Sequence, residues 1–272
     1  ETYGRFKVLA GNVLLTGRTL LKAEEATGVF KKLMIGNFPT NRATGQYSQI
    51  LGGSFNSGFV GDYQLILGGD HNKIIGGSSF IAGGSYNQVS GNTLTVEGLP
   101  CSLNDFVLCG IGNSASGAYS YVGNGQNNAS IGGFSTVING YNNIAFGNLG
   151  LIGGGQYNRI GKNSLSCIVV GGDGNTVSGN WNGILGGYYN SFFGAVASDT
   201  SLICAGSTNE IYSNSTNSNN SCIIAGSEND LIDSANTVII GGSNNAITLS
   251  QYSLIGGGYG NAIISDSQHC VI

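Results

Sequence analysis

The sequence predicts an all-β chain wound as a parallel β-solenoid, with about 13 coils of mostly 15–16 residues. One asparagine recurs behind a small pair, usually Gly-Gly, and two variable residues: Asn56, Asn72, Asn87, Asn113, Asn128, Asn143, Asn158, Asn175, Asn190, Asn209, Asn229, Asn245 and Asn261. The steps between them are 16, 15, 26, 15, 15, 15, 17, 15, 19, 20, 16 and 16 residues, a short period that marks stacked units. Six residues before each of the thirteen stands Ile or Val, from Ile50 to Ile255, as a pleated strand favours. Gly makes up 48 of 272 residues and Pro only 2, too much Gly for a helical array and no Gly-X-Y triplet for collagen.

Within one coil the Ile/Val strand comes first, then the Gly-Gly corner and the Asn. The Gly pair supplies backbone angles that L-residues resist, and the Asn is expected to take the left-handed region itself. Stacked asparagines are also expected to hydrogen-bond along the array. A second strand follows, with Ile74, Val89, Ala115, Ala145, Ile160, Val177, Phe192, Ile211, Leu231, Ile247 or Ile263 two residues after the Asn, and Gly58 and Ser130 as exceptions. A frequent Gly four residues after the Asn marks a second corner. Pro39 and Pro100 fall outside the regular coils, where the hydrogen-bond ladder can lapse.

The two strands differ in polarity. The residue after the Asn is mostly polar (Lys73, Gln88, Arg159, Glu210, Asp230), so this strand alternates as a solvent-facing one should. The strand before the Gly-Gly is apolar on both sides of its Ile/Val, as at Leu65 and Leu67 or Ile168 and Val170. A strand apolar on both faces is buried on both, so its outer face calls for sister copies in a symmetric homo-oligomer.

Charge and cysteine narrow the function. Seven of ten cations lie in the first 42 residues; the remaining 230 carry three cations against eleven acids, which gives no footprint for nucleic acid. No apolar run reaches the ~20 residues of a membrane-spanning helix, and the opening Glu1 is read as an excised piece whose leader has gone. The six cysteines, Cys101, Cys109, Cys167, Cys204, Cys222 and Cys270, share no ligand or disulfide spacing, so no metal or cofactor is expected and the thiols fit assembly in a reducing cytosol.

From Gly125 the chain reads Asn128, Ser130, Gly132, Ser135 and Val137, and from Gly140 it reads Asn143, Ala145, Gly147 and Ile152. This pattern resembles the head repeat of trimeric autotransporter adhesins; similar arrays occur in phage and viral fibres. The resemblance covers about residues 46–265. It implies a left-handed β-roll, a homotrimer and a role in attachment. The chain departs from it by placing Asn where the family has Ala, by bulkier Ile and Leu, and by its six Cys.

Residues 1–40 do not obey the repeat and are read as an N-terminal connector, cap or attachment segment before a 41–272 repeat domain. Residues 17–32 suit a short amphipathic helix or an irregular strand; Ile35, six before Asn41, suits a degenerate first coil. His71 reads as a bulky corner residue, since His71 and His269 lack partners at metal or triad spacing. Asp62 with Asp70, or Asp230 with Asp233, are the candidate carboxylate pairs, with isolated surface acids the blander reading. Trp181, Tyr188, Tyr189 and Tyr212 are the candidate ligand-stacking residues, and the period breaks at 92–106, 195–200 and 212–220 are candidate loops on a working face. Sequons stand at Asn128, Asn214 and Asn219.

The function expected is a non-enzymatic fibre or adhesin segment on a virion or cell surface, binding a host glycan or protein receptor without entering the membrane. A bacterial adhesin head is the alternative. An ice-binding solenoid, for which a Thr-x-Thr file is missing, and a polysaccharide-cleaving spike rank below it.

Overall fold

The structure, a computed structural model, describes residues 20–26, 29–36, 40–45, 47–59, 61–90, 94–96, 99–101, 104–193, 200–213, 220–264 and 267–272, with backbone alone at 20–36 and 94–101. It is an all-β parallel β-solenoid of about 12 turns. The thirteen anchoring asparagines predict about 13 coils. No helix occurs among the described residues.

Two units make up the chain, Glu1–Tyr119 and Ser120–Ile272. In the first, strands Ser48–Ile50, Leu65–Ile66, Phe80–Ile81 and Phe106–Val107 stack in parallel and bring Ile50, Ile66, Ile81 and Val107 into register. Strands Arg42–Ala43, Ser57–Phe59, Lys73–Ile75, Gln88–Ser90 and Ser114–Ala115 form the opposing sheet. In the second unit nine strands from Tyr121–Val122 to Leu254–Ile255 pile Val122, Val137, Ile152, Val169, Ile184, Ile203, Ile223, Ile239 and Ile255 in one column. The facing sheet adds Ile211, Leu231, Ile247 and Ile263 in register. These two files are the core; side chains such as Ile184 and Ile211 have no exposed surface, and each contributes about 1.5–3 kcal/mol of apolar burial.

The segment before Asn41 corrects the helical alternative. Leu20–Ala26 and Val29–Gly36 form an antiparallel hairpin, and the second strand joins the array in parallel. Met34, not Ile35, pairs with Ile50, so the first coil is one residue out of the expected register. Asn41 nevertheless belongs to the ladder: its Oδ1 accepts the Asn56 N–H at 3.0 Å. Pro100 lies in a second antiparallel insertion, Leu94–Val96 against Leu99–Cys101. Pro39 falls outside the described residues.

The corners also correct the sequence reading. The anchoring Asn is not itself left-handed. The residue before it is, at all thirteen positions: Tyr189 has φ +52° and Asn244 +57°, while Gly112, Gly174 and Gly260 fill the same place as glycine. The second residue of each small pair, three before the Asn, is likewise left-handed, from +76° at Gly53 to +112° at Gly140. The side chain of the Asn then does the work assigned to its backbone. Asn190, fully buried, donates from Nδ2 to the Gly186 carbonyl in its own coil at 3.1 Å and to the Gly206 carbonyl of the next at 3.0 Å. Each Asn therefore satisfies backbone groups that the turn leaves unpaired. A second internal polar file runs through Ser135, Ser201, Ser221 and Ser253, all buried at the other corner, each behind a left-handed residue (Phe134, Thr200, Asn220, Tyr252).

Candidate binding surface

Strand alternation places every second residue outside, so each sheet has an outer face. In the second unit the outer face of the Ile/Val sheet carries Ile138, Ile168, Val170, Leu185, Ile224 and Ile240, each 42–52% exposed. These are the flanking positions predicted to need cover. Gly183 interrupts one outward file where Ile168 precedes and Leu202 follows, and leaves a cleft of about 260 Å³ walled by Trp181, Ile168, Leu185 and Leu202. Of its polar lining, Asn182 Nδ2 donates to the Ser178 carbonyl at 2.8 Å, and its Oδ1 accepts the Ser201 N–H at 2.9 Å. The cleft is an apolar notch.

Cys204 and Cys222 occupy adjacent coils on this same face. Desolvation first, and Cys204 second, push the Cys222 thiol up to about 11. Cys109, Cys167, Cys204, Cys222 and Cys270 form no disulfide. Cys167 is fully buried at a corner, its Sγ 3.1 Å from the Gly179 carbonyl, in a place other coils give to Ser.

The outer face of the second sheet is polar. Glu210 lies directly opposite Asp230 on the next coil. Partial burial, then Glu210, then Glu228 raise the Asp230 carboxyl to about 6. Asp230 thus faces Glu210 across the coils, and Glu210 and Glu228 both raise its carboxyl. Asp70, the other candidate acid, accepts from Ser54 Oγ at 2.8 Å and meets His71 Nδ1 at 2.7 Å; the His71 bond, then the Ser54 bond, hold its carboxyl below the usual range. His71 is stacked between Phe55 and Tyr86 at 4.6 and 4.8 Å, a corner packing role as the sequence suggested. Farther along, the Arg159 guanidinium and the Lys162 ammonium sit 4.9 and 5.6 Å from the centroid of one ring, Phe146.

The four aromatic candidates lie in three places. Trp181, 57% exposed, stands at the mouth of the apolar cleft. Tyr188 and Tyr189 meet edge to face at 4.3 Å on the Asn corner, both half-exposed; desolvation, then Tyr189 and Asp173, raise the Tyr188 hydroxyl. Tyr212 stacks on Phe193 at 6.3 Å on the polar sheet. Only Tyr188 and Tyr189 are brought together. Of the candidate breaks 195–200 and 212–220, residues 195–199 and 214–219 fall outside the described residues, as do the sequons Asn214 and Asn219. Asn128 is fully buried in the ladder, its Nδ2 donating to Asn124 and Gly140 carbonyls, so this sequon is closed to a glycan. The sequence reading missed the Phe146 cluster; the signal available was that Arg159 and Lys162 are the only cations after Lys73.

The sequence matches no family model and none of the curated proteins compared with it.

Proposed function

We propose that the chain is a non-enzymatic structural segment of an attachment fibre, a homotrimer of left-handed β-rolls that binds a host cell-surface receptor from a virion or phage particle. The observation that carries this reading is the exposed apolar outer face of the Ile/Val sheet, with Ile168, Val170, Leu185, Ile224 and Ile240 in repeated register. Contiguous apolar area of this kind is uncommon on a monomer, and sister copies around an axis parallel to the array cover it on every chain alike. The polar sheet and the Asn corner then remain outside for a receptor. A bacterial adhesin head shares this reasoning and differs only in what carries the fibre.

Light scattering on the purified protein tests assembly, and adhesion to cells or immobilised glycans tests attachment. A stable single-chain particle would sink the trimer. Leu185→Asp, on the exposed face, is expected to dissociate the assembly while wild type holds it.

A second reading, a polysaccharide-cleaving spike, draws on the opposed Glu210 and Asp230, with the Asp230 carboxyl raised to about 6, toward the range of a general acid. Release of reducing sugar that Glu210→Gln abolishes would favour it over the fibre.

A further inference from the structure

We propose that Phe146, Arg159 and Lys162 form a binding site for an acidic saccharide, with its carboxylate or sulfate held by the two cations and its ring laid along Phe146. The site deepens the attachment reading, on which it rests for the class of ligand.

Three observations converge. The Ser120–Ile272 unit contains seven acids and only two cations, and both cations meet over one ring. In an acid-rich chain of formal net charge −4, cations find carboxylates easily. Among the described residues, neither Arg159 nor Lys162 has one within ion-pair distance, and neither side chain spends a donor on the protein. Both side chains are exposed, Arg159 on the sheet that sister copies would leave uncovered and Lys162 at the corner just beyond it.

Local structure explains the convergence. Arg159 follows the anchoring Asn158 and points outward from strand Arg159–Ile160, opposite Ile144. Phe146 belongs to the preceding coil, two residues beyond Ile144, and its N–H donates to the Ile160 carbonyl at 3.0 Å. The step from Asn158 to Asn175 is 17 residues against the usual 15, and Lys162 stands in that longer corner. Insertions in solenoids tend to mark the binding face.

The chemistry follows from the three groups. A guanidinium over an aromatic face leaves its in-plane N–H donors pointing outward, suited to a planar or tetrahedral anion. Lysine adds a point charge on a flexible stem. An aromatic ring alone would stack on any sugar; the cations make the site selective for acidic ones.

The test is calorimetric titration of the intact protein with a sulfated disaccharide, a sialylated trisaccharide and the neutral parent of the latter. The expected result is binding of at least one acidic saccharide, at least tenfold tighter than the neutral one. The Arg159→Gln/Lys162→Gln double variant is expected to lose at least tenfold of that affinity and most of its salt dependence, with an unchanged melting temperature. Phe146→Leu should weaken binding while both charges remain. Equal affinity in wild type and double variant, preference for the neutral sugar, or no acidic saccharide bound would each overturn the site. Cell adhesion separates this from the attachment reading. Undiminished adhesion by the double variant removes the site alone, whereas saccharide binding without any adhesion removes attachment and keeps the site.

Discussion

The backbone N–H of Asn190 donates to Oδ1 of Asn175 at 3.0 Å, and the Asn190 side-chain nitrogen reaches the same oxygen at 3.2 Å. Asn209 repeats the bond onto Asn190 at 3.1 Å, so the amides form a continuous internal chain. Replacing Asn190 with Ala leaves the Asn209 N–H and the Gly186 carbonyl without their partner, and the Gly206 carbonyl with the Tyr188 N–H alone. At about 1–3 kcal/mol for each buried unpaired group, the expected loss is about 3–5 kcal/mol. Hydrogen exchange should show it first at residues 186–209, because a solenoid transmits instability to nearest neighbours. A denaturation midpoint equal to that of wild type would refute the ladder's role.

The Gly-Gly pair divides into one dispensable and one obligatory residue. A Cβ on Gly187 would lie 2.2 Å from the Gly206 carbonyl oxygen and 2.4 Å from Asn190 Nδ2, at φ +97°. A Cβ on Gly186 meets nothing within 4 Å. Gly187→Ala should therefore cost about 2 kcal/mol or more through strain and displaced backbone, while Gly186→Ala should be neutral or gain about 0.5 kcal/mol from a stiffer unfolded chain. The chain has already made this substitution elsewhere, with Ala205 and Ala225 in the same place. Thermal melts of the two variants decide it, and equal effects would contradict the geometry.

The core was legible in the sequence because burial repeats with the period. Thirteen Ile or Val at one place require one environment, and each is buried. The corners were legible only in part. Composition shows that Gly and Asn matter there but cannot say which residue bends, and Tyr189 and Phe55 are poor statistical choices for a left-handed backbone. They are accepted because the buried Asn after them makes four or more hydrogen bonds, which outweighs the ~1–2 kcal/mol cost of the conformation. The Phe146 cluster was invisible for another reason. Its ring and its cations are 13 and 16 residues apart in sequence and meet only after the coil register is fixed.

Asp230 makes stability depend on pH in the direction opposite to that of a salt-bridged acid. Its folded value of about 6 exceeds the ordinary 3.8, so between these values the folded state holds more protons than the unfolded one. Stability should then fall as pH rises from about 4 to 6 and stay level above that. After discounting for its half-exposed position, the effect is about 1 kcal/mol. Asp230→Asn should flatten the profile and stabilise the protein at pH 7. Parallel wild-type and variant melting curves between pH 4 and 8 would rule this out.

Cys222 offers a probe of the apolar face. With its thiol raised to about 11, chiefly by desolvation, the thiolate fraction at pH 8 is about one in a thousand, against about one in ten for an ordinary thiol near 9. Alkylation of Cys222 in the native protein should thus run about a hundredfold slower than in denaturant, and faster with each increment of pH. Cys204→Ala removes the second cause of the shift and should accelerate labelling modestly. If sister copies cover the face, Leu185→Asp should speed labelling further by opening it to reagent. Mass spectrometry of the Cys222 peptide reads all three rates. Native labelling as fast as in denaturant would show the thiol to be neither desolvated nor shielded.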